Sequence, residues 1–183
     1  RRLQKFALDN GVSGRLEDAD NDYLLVSHSN IMGSKTDRVI DNRISLNIGI
    51  EGNSLNHQLK ILRKHNGGNS KFGFYNRKNP DYVRIYIPKD AEFLGISGDS
   101  DFQFEALADY KKENFKQDPD LAAYENKISK EYGIDVWIEG DKKVLGFWLV
   151  AEPGEQKEAI ISYSTTFDSK SYKLFVQKQP GAK

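Results

Sequence analysis

Apolar and polar residues alternate with period two along several stretches of the chain, which is the spacing of half-buried β-strands. The clearest stretch is RISLNIGI, residues 43–50, in which every second residue is Ile or Leu. Turn residues follow at 51–53, and a second alternating run begins at Leu55 and passes through His57. Two period-two runs joined by turn residues predict a long β-hairpin.

Other runs predict further strands with short connections between them. They include DYLLVSH at 22–28, DYVRIYIP at 81–88 and, later in the chain, stretches near 91–98, 134–140, 143–150, 157–164 and 171–178. Parallel neighbours would need a crossover, usually a helix, between most strands, so we expect antiparallel pairing. The predicted fold is mainly β, an antiparallel β-sandwich-like domain that begins at about residue 22.

Helical spacing appears in two places. LQKFALDN, residues 3–10, predicts a short helix that ends at Gly11. Over 102–132 the period changes, and Asp118-Pro119 is a typical helix start, with a capping Asp and Pro at the first helical position. We therefore expect an inserted helical pair, whose apolar positions are Phe104, Leu107, Ala108 and Phe115 in one helix and Leu121, Tyr124, Ile128 and Tyr132 in the other.

Composition narrows the possible functions. The 27 basic and 27 acidic residues give no net charge, so no overall field attracts nucleic acid, and we expect no nucleic-acid partner. Cysteine is absent, which excludes disulfides, thiolate metal sites and cysteine nucleophiles. The sequence begins with Arg1 and contains no apolar run near the ~20 residues of a membrane span. We expect one domain over 1–183 that is a fragment of a longer protein.

The segment Gly33-Ser34-Lys35-Thr36 is similar to the end of a phosphate-binding loop. With Lys35 as its lysine, however, the two required glycines fall on Ser29 and Ser34, and a strand pattern rather than a helix follows. We therefore expect no nucleotide site. The segment is either a polar corner in which Asn30 and Asp37 bond to turn backbone groups, or a small ligand site that includes Asn30, Lys35 and Asp37.

Other catalytic and metal-binding patterns are missing. His28, His57 and His65 lack the close spacing of zinc ligands, and the alternating position of His57 favours the core or a sheet edge. No Gly-x-Ser-x-Gly element occurs. We predict no catalytic residues, no metal and no cofactor in this stretch, which makes a non-enzymatic role the expectation for it.

Aromatic residues on the predicted strands are expected mainly to pack in the core. Tyr82 and Tyr86 are exceptions, because Val83, Ile85 and Ile87 already occupy the opposite face of their strand. They are candidates for an exposed aromatic face that stacks on sugars.

Several motifs resemble one bacterial family, known as domain of unknown function four-zero-one-two, in the C-terminal half of its members. They are the Asp-Tyr-Leu-Leu-Val strand at 22–26 with the Asn30 to Asp37 loop, YVRIYIP at 82–88, Pro-Gly with Ile-Ser-Tyr between 153 and 163, and VQKQPG at 176–181. Order and spacing agree over nearly the whole chain, except at about 99–133.

The resemblance implies a non-catalytic, extracytoplasmic module of a membrane-anchored envelope protein, acting in binding or assembly at the cell surface. Contact with the membrane would come only through an anchor upstream of this stretch, and the partner would be an envelope glycan or another envelope protein. The alternative is part of an enzyme of envelope-polymer metabolism whose active site lies in the N-terminal half.

Overall fold

The computed structural model describes residues 2–19, 21–105, 108, 112–113, 115–116, 118–166 and 171–181. In this part of the chain the protein is mainly β, with two sheets packed together and two short helices. The sandwich-like fold predicted from the alternating pattern is confirmed.

The two helices are α1 (Arg2–Asp9) and α2 (Pro119–Glu125). The strands are β1 (Asp22–Asn30), β2 (Ile40–Glu51), β3 (Ser54–His65), β4 (Asn79–Pro88), β5 (Glu92–Ser97), β6 (Ser129–Glu131), β7 (Ile134–Glu139), β8 (Lys142–Ala151), β9 (Gln156–Thr166) and β10 (Leu174–Lys178). One sheet has six strands in the order β10-β1-β4-β8-β7-β6, and the other has four in the order β2-β3-β9-β5.

Strand pairing is antiparallel in the described chain except between β1 and β10, which pair in parallel from Asp22–Leu174 to Val26–Lys178. This parallel pair departs from the antiparallel pairing expected from the sequence. The parallel direction is possible because β9 lies in the four-stranded sheet and β10 lies in the six-stranded sheet. No hairpin joins them, so no tight turn dictates the direction of β10.

The predicted hairpin is formed by β2 and β3. Their register pairs Glu51 with Ser54 and leaves Gly52 and Asn53 as a two-residue turn, in which Gly52 has φ of +59°. Glycine adopts this left-handed conformation without steric cost. Along β3 every second side chain is buried: Leu55, His57, Leu59, Ile61, Arg63 and His65.

The main core lies between the two sheets and contains aliphatic side chains of β1, β3, β4, β8 and β9. A second apolar cluster lies on the outer face of the six-stranded sheet, around Tyr23, Tyr86 and Trp137. Leu16 and Ala19, which precede β1, pack against it together with Ile128. The central strands of this sheet therefore bury side chains on both faces.

The predicted helical pair is only partly present. Asp118 caps α2 through hydrogen bonds from the N–H groups of Asp120 and Leu121, as its sequence predicts, but the helix ends at Glu125. Residues 129–131 form β6, which pairs with β7 across the turn Tyr132-Gly133. Both turn residues have positive φ, 49° and 87°, as a tight hairpin requires.

The first helix of the predicted pair is not seen where the chain is described, since residues 101–105 are irregular. Leu107 lies outside the described residues. The N-terminal helix is confirmed as α1, yet Leu3 is 84% exposed and Phe6 is 64% exposed. Its apolar face is therefore not covered by the described part of the protein.

Candidate functional site

Three strands carry inward-facing rows of side chains that change from apolar to polar at the same end of the sandwich. The rows reach His28 on β1, Arg63 on β3 and Asp81 on β4. Antiparallel pairing of β1 with β4 aligns their ends, and β3 brings Arg63 across from the other sheet. We call the resulting cluster the polar end; it comprises His28, Asp37, Arg63, Asn79 and Asp81.

Arg63 is the centre of the polar end, and its side chain is only 1% exposed. Its Nη1 lies 2.7 Å from Asp81 Oδ2, and its Nη2 donates to Asn79 Oδ1 at 2.7 Å. Burial lowers the pKa of the guanidinium, whereas the negative charges of Asp81 and Asp37 raise it. Arg63 and Asp81 thus neutralise each other, as charges removed from water must.

His28 completes the cluster. Its Nδ1 lies 2.7 Å from Asp81 Oδ2 and 2.8 Å from Arg63 Nη1. The carboxylate of Asp81 only accepts and the guanidinium of Arg63 only donates, so Nδ1 donates to Asp81 in one tautomer and accepts from Arg63 in the other. With Nδ1 protonated, a neutral imidazole presents Nε2 as a hydrogen-bond acceptor.

Within the described residues, three buried atoms of the polar end have no hydrogen-bond partner: Arg63 Nε, His28 Nε2 and Asp81 Oδ1. Buried polar atoms are normally paired, and an unpaired one costs about 1–3 kcal/mol. His28 and Arg63 line an open cleft, and their unpartnered nitrogens are buried in its wall.

The cleft has two continuous parts. The polar pocket, of about 400 Å³, is lined by His28, Asp37, Arg38, Arg63 and Gln179 among others. The apolar groove, of about 470 Å³, runs between β2 and the β1–β10 edge. His28, Asn42 and Gln179 line both parts.

The apolar groove exists because β2 and β10 are edge strands on the same side of the sandwich. Ile44 and Ile50, in the row expected to face the core, are 44% and 68% exposed. Leu46, in the same row, packs partly against the core. The burial expected for this face of β2 is therefore only partly reached, and an apolar wall stays open.

The corner between β1 and β2 forms one wall of the polar pocket. Asn30 Nδ2 donates to the carbonyl oxygen of Ser34 at 2.7 Å, so Asn30 holds the turn backbone as the structural hypothesis predicts. Gly33, with φ of +62°, closes the turn through a hydrogen bond to Asn30. A short 3₁₀ turn at Lys35–Val39 and then β2 follow, which confirms that no α-helix follows the Gly-Ser-Lys-Thr segment.

Asp37 and Lys35 have different surroundings. Asp37 accepts from Asn79 Nδ2 at 2.8 Å and lies 4.0 Å from Arg63 Nη2, so it lines the polar pocket. Its partner in the described chain is this side-chain amide, not the corner backbone that the sequence suggests. The ammonium of Lys35 lies 5.9 Å from the ring centroid of Phe74, away from the polar pocket.

Tyr82 and Tyr86 do not form the exposed aromatic face expected of them. Tyr86 is 4% exposed within the outer apolar cluster, and burial raises its pKa to about 12. Tyr82 donates to Asp135 at 2.6 Å and packs edge-on against Trp148. Tyr86 belongs to the outer apolar cluster, and Tyr82, Leu16 and Ala19 pack against it. A ligand role for Tyr82, which lines a pocket of about 340 Å³, stays a prediction.

A second histidine–aspartate pair lies at the opposite end of the core. His57 Nε2 lies 2.6 Å from Asp22 Oδ2, and its Nδ1 lies 3.1 Å from the carbonyl oxygen of Leu55. Its ring stacks on Tyr163 with a centroid distance of 4.3 Å. The core position expected for His57 is confirmed, and both of its nitrogens are occupied.

Sequence reasoning missed His28, Arg63, Asn79 and Asp81 as members of one cluster, although a signal was present. The alternation of Leu55, Leu59 and Ile61 extends without a break to Arg63, and that of Val83 and Ile85 extends back to Asp81. A charged residue in register with core positions is a stronger hint than a polar loop.

Among the described residues, no group of three or more His, Asp or Glu side chains is arranged to hold a metal ion. Neither described helix is long and apolar enough to cross a membrane. No protein-family model matches this chain, and no curated protein or solved structure matches it. The resemblance drawn from its motifs therefore stays a hypothesis.

Proposed function

We propose that this chain is a non-catalytic binding module and that it holds its ligand in the cleft. The observation that carries the proposal is the continuity of an open apolar groove with a pocket in which buried polar atoms lack partners. Volumes of about 400 and 470 Å³ fall in the range typical of ligand sites, about 300–1,000 Å³. The described lining contains no Ser, Thr or Tyr hydroxyl that could act as a nucleophile.

The setting that we propose is the bacterial cell envelope, outside the cytoplasm. It rests on the sequence resemblance, which also implies an upstream membrane anchor. In this setting the module would act in binding or assembly at the cell surface, with an envelope glycan or another envelope protein as its partner.

Binding of the uncharged dye Nile red, whose fluorescence rises in apolar surroundings, tests the cleft. We expect Ile44→Glu to abolish binding, because it places a carboxylate in the groove. Ile50→Glu is the matched control, since it lies on the same row of β2, is also exposed and does not line the groove. Equal dye binding by both variants, or no binding by the unmodified protein, would refute the proposal.

One observation favours the alternative, a part of an envelope-polymer enzyme. Asp81 lies against Nδ1 of His28, and Nε2 is buried without a partner in the described structure. An imidazole held at one nitrogen by a carboxylate has the orientation of a general base. If this alternative is correct, the full-length protein turns over an envelope polymer, and His28→Gln lowers kcat by about 100-fold or more. Unchanged turnover in this variant would exclude His28 as a base.

A further inference from the structure

We propose that the ligand of the cleft is a neutral amphiphile, an aliphatic chain joined to a hydroxyl-bearing, sugar-like head group. This inference rests on the proposed function, because it names the class of ligand for the same cleft. The chain would occupy the apolar groove, and the head group would occupy the polar pocket.

The lining of the groove argues for a hydrocarbon chain. Its apolar side chains are all aliphatic: Leu24, Val26, Ile44, Leu46, Leu174 and Val176. Sugar rings bind preferentially to flat aromatic faces, which this lining lacks. Each methylene removed from water would strengthen binding about fourfold, so a chain gains most from such a groove.

The charges of the polar pocket argue for a neutral head group. Arg38 and Arg63 line it with Asp37, and Asp81 lies directly behind Arg63. Two positive and two negative side chains leave no net charge. An anionic head would have to compete with Asp81 for Arg63, and a cationic head would meet two arginines.

The unpartnered atoms argue for hydroxyl groups. Both nitrogens are buried in the wall of the cleft. With Nδ1 protonated, His28 Nε2 needs a donor, whereas the N–H at Arg63 Nε needs an acceptor. A hydroxyl group both donates and accepts, so a polyol or sugar head can satisfy both residues. An ether or ester can only accept, and an ammonium group can only donate.

Displacement of Nile red from the full chain tests the inference with four probes. They are n-octyl β-glucoside below its micelle concentration, methyl β-glucoside, octanoate and octyltrimethylammonium. We expect octyl glucoside to bind at least tenfold more tightly than each of the others, since it alone combines a chain with a neutral hydroxyl head. Ile44→Glu should abolish its binding, and Ile50→Glu should preserve it.

His28→Leu tests the head group separately. We expect it to weaken octyl glucoside binding at least tenfold more than Nile red binding, because it removes the polar group at the junction of the two parts and keeps the aliphatic lining of the groove. If His28→Leu does not fold, as judged by thermal melting, the probe series on the unmodified protein still decides the matter.

The possible failures are distinguishable. If octanoate displaces the dye better than octyl glucoside does, or if octyl glucoside does not displace the dye, this inference is overturned and the proposed function stands. No dye binding at all overturns both. A further outcome is that sedimentation reveals a dimer that Ile44→Glu dissociates and that octyl glucoside leaves intact. That result would show that a second copy occupies the groove, and it also overturns the inference.

Discussion

Histidine and aspartate pair at both ends of the core, but the two pairs have different surroundings. His57 and Asp22 are enclosed, and Tyr172 donates a further hydrogen bond to Asp22 at 2.6 Å. His28 and Asp81 instead stand beside an open cleft with unpartnered atoms. The same residue types are therefore paired at one end and leave buried polar atoms without partners at the other.

Asp37 links the corner to the polar end, so its removal should be measurable. We expect Asp37→Ala to lower the free energy of unfolding by about 0.5–1.5 kcal/mol, because Asn79 loses an acceptor. The effect is limited because the Asp37 side chain is 60% exposed. Denaturant melts provide the measurement.

Lys35→Ala is the control for this prediction. It removes only an exposed contact with the Phe74 ring, and we expect a change below about 0.5 kcal/mol. A larger loss for Lys35→Ala than for Asp37→Ala would show that the corner is held differently.

At the scale of elements, the outer face of the six-stranded sheet depends on a glycine in β8. A methyl group on Gly146 would come within 2.8 Å of Trp137 Cζ3 and 2.9 Å of Tyr82 Cζ. The ring of Tyr82 thus packs over Gly146, and its hydroxyl donates to Asp135. The strand needs a residue without a side chain at this point.

We expect Gly146→Ala to lower the free energy of unfolding by about 1–3 kcal/mol through overpacking. Gly49→Ala on β2 is the matched control, because its methyl group would meet only Asn56 O at 3.9 Å. That change should be neutral or slightly stabilising. Thermal melts that show equal losses for both variants would contradict the packing argument.

The predictable and unpredictable elements differ in what determines them. The strands and the β2–β3 hairpin follow from local alternation and turn residues, which the sequence displays directly. The segment Ser129–Glu131 lies within a longer run of helical spacing, but it pairs with β7 across the Tyr132-Gly133 turn and is a strand. Here a tertiary contact prevails over a weak local pattern.

The candidate site was predictable only in part for a similar reason. Asn30 and Asp37 can be recognised in the sequence as parts of a polar loop. Arg63 and Asp81, in contrast, become neighbours only when the two sheets pack against each other. Tyr86 was misjudged because the segment around Leu16 and Ala19, which packs against its cluster, carries no regular pattern.

At the scale of the whole molecule, several tyrosines are buried, which makes the fold sensitive to alkali. Burial raises the pKa of Tyr86 to about 12 and raises the pKa values of Tyr23, Tyr82 and Tyr163 above their ordinary value. The folded state therefore holds these protons more tightly than the unfolded state. The stability that these tyrosines contribute is fully present below pH 10 and falls as the pH rises from about 10 to 12.

We expect each such tyrosine to contribute a slope of about 1.4 kcal/mol per pH unit in this window. Chemical unfolding at pH 8 to 12, followed with tyrosinate absorbance, measures it. Tyr86→Phe should reduce the slope, because it removes one titrating group. A stability that is constant to pH 12 would contradict the burial of these side chains.

The parallel pair of β1 and β10 also has a consequence for synthesis. Tyr23 and Gln177, which are hydrogen-bonded across this pair, are 154 residues apart in the chain. At a translation rate of about 5–20 residues per second, β1 leaves the ribosome roughly 8–30 s before β10 does. Leu174 and Val176 belong to β10, so this wall of the groove is made well after Leu24 and Val26 of β1. A nascent chain therefore exposes the bare edge of β1 to chaperones and to other chains before both walls of the groove are present.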